Sequence, residues 1–113
     1  MDQVIIGVDT HKSNHIAVAM NTQGARLGGL TIPTTCQGYQ DLEVWGSKYG
    51  SIKAFGIEGT GSYGAALSRA LLAKGHTVLD VMRPNRQLRY LHGKSDSLDA
   101  ESAARSVLNG QAT

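Results

Sequence analysis

The chain has 113 residues, 41% of them hydrophobic, with a formal net charge of +2 and a single cysteine. That describes one domain with enough chain to bury a core, and it excludes a helical membrane span, because no apolar run approaches about 18 residues. Cys36 has no partner for an internal disulfide, which fits a reducing cytoplasm, and no basic segment precedes the first apolar run, so no secretory signal is expected.

The first apolar run, VIIGVDT (residues 4–10), ends in an acid and reads as a buried strand. HKSN makes a tight turn into a second strand, HIAVAMN (15–21). NTQG turns into a third, ARLGGLTIP (25–33), which Pro33 ends. A helix begins at Thr35 and runs to about Tyr49-Gly50, with Tyr39, Leu42, Val44 and Trp45 as its expected buried stripe. IKAFGIE (52–58) is a fourth strand, YGAALSRALLAKG (63–75) an amphipathic helix, and HTVLDV (76–81) a fifth strand. Pro84 opens a basic helical segment that extends to His92-Gly93. The last element is a helix over 97–110. The order βββαβαβαα predicts an α/β fold, a mixed sheet with helices on its faces.

Charge is unevenly spread. Residues 1–60 carry four Lys or Arg against five acids, and residues 61–113 carry seven against four, with Arg83, Arg86, Arg89 and Lys94 making up most of the excess. Such a stretch is either a solvated helix face or a nucleic-acid contact.

Four acids stand where packing does not explain them. Asp9 ends the first strand, Glu58 ends the fourth, and Asp96 and Asp99 open the last helix at i, i+3 spacing. A carboxylate at a buried strand tip is costly unless it is paired or bound to a cation. Mg²⁺ prefers such hard oxygen ligands, and two ions about 4 Å apart would serve both oxygens of a phosphoryl transfer. The bland alternatives are a turn contact for Asp9 and helix N-terminal service for Asp96 and Asp99.

Gly59-Thr60-Gly61-Ser62-Tyr63-Gly64 also spells G-x-G-x-x-G between a strand and a helix, with Asp80 19 residues after Gly61. That is the pattern of a dinucleotide-binding loop. Against it, Glu58 would stand beside the pyrophosphate, Asp80 lies inside a strand rather than at its tip, and a three-strand meander precedes the unit. The glycines are otherwise explained by a tight turn and close helix–sheet packing.

GVDTHK (7–12), GIEGTGSYGAALSRALLAKGHTV (56–78), RPNR (83–86) and GKSDSLDAESAARSVL (93–108) together resemble the N-terminal catalytic domain of DEDD-type insertion-sequence transposases, the group that includes the Piv DNA invertases. The resemblance covers almost the whole chain in order and spacing. It implies an RNase H-like, RuvC-like fold, with Asp9, Glu58, Asp96 and Asp99 as the acidic tetrad. It also implies Mg²⁺-dependent DNA cleavage and strand exchange, with Mn²⁺ as a substitute ion. Residues 1–113 would be one catalytic domain, a fragment lacking the family's C-terminal domain with its nucleophilic serine, and inactive in recombination by itself. DNA, a guide non-coding RNA and further copies of the chain are the implied partners. The location would be the bacterial cytoplasm, at the nucleoid during activity.

Supporting roles follow at the neighbouring positions. Lys12 and Lys94 would contact the scissile phosphate or balance the acids. Arg83, Arg86 and Arg89 share much of one helical face and would track a nucleic-acid backbone. Thr60, Ser62 and Tyr63 would orient Glu58 or touch phosphate, with Tyr63 as a core residue in the plainer reading. His11 and His15 flank a turn, which disfavours a zinc pair, and Cys36 at a helix start reads as structural rather than as a catalytic thiol. Three competing functions remain: the dinucleotide enzyme; an actin-like or sugar-kinase-like ATPase, whose first turn should carry the glycines that THKSN lacks; and a non-catalytic module binding nucleic acid through residues 83–94.

Overall fold

A computed structural model of the chain describes residues 2–81, 96–110 and 112, with the side chains of 96–98 outside that description. Its elements are β1 (Gln3–Thr10), β2 (Asn14–Asn21), β3 (Arg26–Pro33), α1 (Cys36–Ser47), β4 (Ser51–Glu58), α2 (Ala65–Ala73), β5 (Val78–Val81) and α3 (Asp96–Leu108). The helix expected to open at Pro84 lies outside the described residues. The strands form one sheet in the order β3-β2-β1-β4-β5. The β1–β2 and β2–β3 pairs are antiparallel, and the β1–β4 and β4–β5 pairs are parallel.

Alternation along β1 assigns the two faces of the sheet. Val4, Ile6 and Val8 join Phe55, Ile57, Leu42, Leu67 and Leu71 in the larger core beneath α1 and α2. Ile5 points the other way and packs with Met20 and Ala104 beneath α3. Helices therefore cover both faces.

The second face is built for close approach. Gly7 and Gly56 are register partners on β1 and β4. A Cβ at Gly7 would lie 2.1 Å from the Ala100 carbonyl oxygen, and one at Gly56 would lie 2.6 Å from a Val107 methyl. The α3 residues turned to the sheet, Ala100, Ala103 and Ala104, are small and fully buried. Glycine on the sheet and alanine on the helix let the two backbones nearly touch. Gly7 meets Ala100 and Ala104, whereas Ile5, nearer the start of β1, packs with Ala104. So α3 runs antiparallel to β1, and its N-terminus is directed toward the carboxyl end of that strand.

Several local expectations are corrected. Thr35 is the N-cap of α1, its side chain accepting from the Gly38 N–H at 3.0 Å, and the helix itself starts at Cys36. Val44 is 60% exposed, and the buried positions of α1 are Gly38, Tyr39, Leu42 and Gly46. Val44 stands two residues from Leu42, roughly 200° around the helix, so it belongs to the opposite face. The second helix begins at Ala65 rather than at residue 63, and the fifth strand covers only Val78–Val81.

Candidate active site

The parallel strands β1 and β4 end side by side. Val8 is the register partner of Ile57, so Asp9 and Glu58 follow as neighbours. Both continue the Gly7 and Gly56 alternation and face the side covered by α3. Asp9 is fully buried and Glu58 half-buried. The Thr10 hydroxyl donates to the Glu58 carbonyl oxygen at 2.7 Å, which ties the two strand ends together.

Burying a carboxylate costs several kcal/mol unless a partner compensates it. Part of that compensation is His11, whose ring Nε2 lies 2.9 Å from Asp9 Oδ2. His11 is the first residue past the end of β1. His15 does something else. It is fully buried, its ring stacks on Tyr39 at 6.3 Å between centroids, and its Nδ1 accepts from the His11 N–H at 3.3 Å. The His11 N–H is also held by the Asn14 carbonyl at 3.0 Å. Among the described residues His15 Nε2 has no hydrogen-bond partner.

Asp99 lies half-buried near the start of α3. Helical spacing puts the Asp96 and Asp99 positions one turn beyond Ala100 and Ala103, on the end of α3 that approaches the Asp9 end of β1. Among the described residues no three His, Cys, Asp or Glu side chains converge closely enough to hold an ion. The Asp96 side chain is not among them. As a donor set the acids are hard carboxylate oxygens, the chemistry that suits Mg²⁺. Lys12 is exposed in the turn after β1. Arg83, Arg86, Arg89 and Lys94 lie outside the described residues.

Part of the glycine loop is turned in on itself. The Ser62 and Gly64 N–H groups both donate to the Gly59 carbonyl, at 3.0 and 2.8 Å, and the Ala65 N–H donates to the Ser62 carbonyl at 3.1 Å. Amides committed inside the loop are not available to a pyrophosphate. Gly59 adopts φ +77°, the left-handed turn that favours glycine, and a Cβ at Gly64 would lie 2.9 Å from an Ile57 methyl. The Thr60 hydroxyl donates to Asp80 Oδ1 at 2.8 Å, and the Ser62 hydroxyl to the Gly59 carbonyl at 3.4 Å. Asp80 lies within β5, as expected, and its side chain is exposed. Tyr63 is 57% exposed, which rules out the core role.

Two ionisable groups link the fold to pH. Burial holds the His15 pKa below its ordinary value, with nearby His11 adding to the effect and the Asn14 backbone contact opposing it. For Glu43, burial raises the pKa, but hydrogen bonds from His76 and Lys74 outweigh it and the net shift is downward. A histidine with a depressed folded pKa leaves the unfolded chain binding the extra proton. Its contribution is therefore complete above about pH 6.5 and falls as pH drops through that value. Glu43 stabilises above its unfolded pKa of about 4.3 and loses that contribution as pH falls through its lower folded value. In thermal melts from pH 8 to 3, the His15 term should be complete above about pH 6.5 and lost below it, and the Glu43 term should be lost in a second stage below about pH 4.3. His15→Leu should remove the stage nearer neutrality and keep the Glu43 stage. An unchanged slope between pH 6.5 and 5 in that variant would assign the first stage to another group.

A family model described as a transposase, the DEDD type of the IS110 group, matches residues 6–113. The fold is similar to that of Thermus thermophilus RuvC in complex with a Holliday junction substrate, with a TM-score of 0.63, 15% identity and 98% of each chain covered. A second Thermus thermophilus RuvC structure aligns with a TM-score of 0.59 at 15% identity, over 97% of this chain and 98% of that one. The Fowlpox virus resolvase in complex with Holliday junction DNA aligns with a TM-score of 0.59 at 11% identity, over 95% of this chain and 97% of that one. At these identities the likeness is one of fold, and the fold is RuvC-like, of the RNase H type. No curated protein sequence matched the chain. Among the described residues no helix is long and apolar enough to cross a membrane.

Proposed function

The chain belongs to the DEDD transposase family, and on that premise we propose that it is the catalytic domain of a DNA transposase or site-specific recombinase, cleaving and exchanging DNA strands with Mg²⁺ held by Asp9, Glu58, Asp96 and Asp99. The observation that carries this reading is the fully buried Asp9 carboxylate at the end of β1, beside Glu58 and facing α3. A buried acid in that place is a stability cost that a bound cation would offset. The resolvases of similar fold were solved with Holliday junction DNA, which supports DNA as the substrate here.

Bound Mg²⁺ would neutralise charge on the scissile phosphate and stabilise the attacking and leaving oxygens. The chain's own residues divide the remaining tasks. His11 holds the Asp9 carboxylate through Oδ2, and Thr10 fixes the Glu58 backbone. The Gly7–Gly56 slot seats α3 closely against the strands that end in Asp9 and Glu58. Lys12, Lys94 and the Arg83, Arg86 and Arg89 row supply phosphate contacts in this reading. A serine nucleophile from a further domain, a guide RNA, assembly of several copies and action in the bacterial cytoplasm at the nucleoid complete the proposal. The dinucleotide alternative is weakened, because the Ser62 and Gly64 amides are committed inside the loop and the Glu58 carboxylate lines the same cleft.

The test is a Mn²⁺ titration of ¹⁵N-labelled protein followed by NMR. Amides around Asp9, Glu58 and Asp99 should broaden first, at concentrations that leave β3 and α2 sharp. Broadening that begins elsewhere, or spreads uniformly, would overturn the metal assignment.

A further inference from the structure

Beside Glu58 lies a cleft of about 600 Å³, bounded by the tips of β1, β4 and β5 and by the glycine loop. Thr10, Glu58, Thr60, Tyr63 and Asp80 all contribute to its wall. Three features set its chemistry. The charged side chains that line it among the described residues are two carboxylates, Glu58 and Asp80, which suits a group that donates hydrogen bonds. Tyr63 presents an aromatic face that is 57% exposed, and a Cβ at neighbouring Gly61 would meet nothing within 4 Å, so a flat ligand has room to lie there. Asp80 is held in place through Oδ1 by the Thr60 hydroxyl at 2.8 Å, which leaves Oδ2 and the spare lone pairs of Thr60 as acceptors at the rim.

A flat, donor-rich group joined to a strand whose phosphates stay outside is an unstacked nucleobase. We propose that this cleft receives one unpaired base of a DNA strand next to the cleavage site, stacked on Tyr63 and read along its Watson–Crick edge by Asp80, with guanine preferred. Guanine offers N1–H and N2–H₂ side by side to a carboxylate. Cytosine and adenine offer one amino group each, and thymine only N3–H. Stacking on an exposed aromatic together with edge recognition is how proteins commonly hold a flipped or single-stranded base. The inference rests on the proposed function for its substrate, but not on the metal.

The experiment measures fluorescence anisotropy of the full 113-residue chain with labelled thymidine oligonucleotides in EDTA. One strand carries a single central guanine, one carries hypoxanthine there, which lacks only the N2 amino group, and one is all thymidine. A guanine-bearing RNA of the same length serves as the second arm. The guanine DNA strand should bind about fivefold or more tighter than the hypoxanthine strand. Asp80→Asn should erase that difference. Tyr63→Ala should weaken every strand by about tenfold, and Tyr63→Phe should stay within about twofold of wild type. Both positions are exposed, so neither change threatens the fold. Equal affinity for the three DNA strands, or a guanine preference that survives Asp80→Asn, would overturn the base pocket and leave the DNA reading standing. Tighter binding of the RNA arm would overturn the choice of DNA. If no strand binds at all, both readings fall together, whereas a failed Mn²⁺ titration would leave this result untouched.

Discussion

Gly7→Ala should lower the melting temperature by about 10–20 °C, corresponding to a loss of about 3 kcal/mol from the few available to a domain of this size. The new Cβ would sit 2.1 Å from the Ala100 carbonyl oxygen, 2.4 Å from the Ala104 nitrogen and 2.9 Å from the Ala104 Cβ. Two of those neighbours are backbone atoms of a helix, so no rotamer change relieves the clash and α3 must lift off the sheet. Gly56→Ala is the control. Its nearest neighbour is a Val107 methyl at 2.6 Å, which can turn aside, and the closest backbone atom is the Ala103 oxygen at 2.9 Å. That variant should lose less, about 1–2 kcal/mol. The two should also differ in function. Lifting α3 at Ala100 moves the turn that bears Asp99, so Gly7→Ala should weaken Mn²⁺ binding in whatever fraction stays folded. Paired denaturant melts and Mn²⁺ titrations measure both effects. Equal losses for the two variants would mean that α3 is seated less tightly over β1 than the distances state.

The same slot shows why some of this architecture is legible in the amino-acid sequence and some is not. Strands β1, β2 and β4 are apolar runs bounded by turns, and their expected limits differ from the observed ones by no more than a residue or so. Asp9 and Glu58 could be singled out because an acid ending an apolar strand has no packing explanation. Gly7 and Gly56 could not, because a glycine within a strand reads as a weak point until a helix is known to lie on it. Val44 fails for a local reason: it is an apolar residue in an amphipathic run, but its angle places it opposite the buried stripe. The core reading of Tyr63 fails for a tertiary one. The turn over 59–64 is held by its own carbonyls and delays α2 until Ala65. Without that delay Tyr63 would sit in the first helical turn, where burial was the natural expectation. The His11 contact to Asp9 forms past the end of β1, where strand alternation no longer says which way a side chain points.

Asp9→Asn should separate stability from function, with the two proteins crossing in stability as metal is added. Asp9 is fully buried with His11 on one oxygen. Asparagine keeps the shape and can still bond the His11 ring, while the cost of burying a charge disappears. In EDTA the variant should therefore be as stable as wild type, or more stable by up to about 2 kcal/mol. Its affinity for Mn²⁺ should fall by about two orders of magnitude or more, since changes at groups merely supporting a ligand already cost about 10–100-fold. Binding stabilises only the protein that binds. At a free ion concentration of about 100 times its dissociation constant, wild type gains about 2.7 kcal/mol, and the variant gains almost nothing. Wild type should thus be the less stable or equal partner in EDTA and the more stable one in Mn²⁺. Parallel gains in the two proteins would remove Asp9 from the metal site. A variant already less stable by more than about 2 kcal/mol in EDTA would make Asp9 a structural residue whose carboxylate the fold needs without any ion. Running the same pair with His11→Ala added resolves the remaining term. If His11 serves only to hold Asp9 in place, its removal should weaken Mn²⁺ binding in wild type and change little once Asp9 is asparagine.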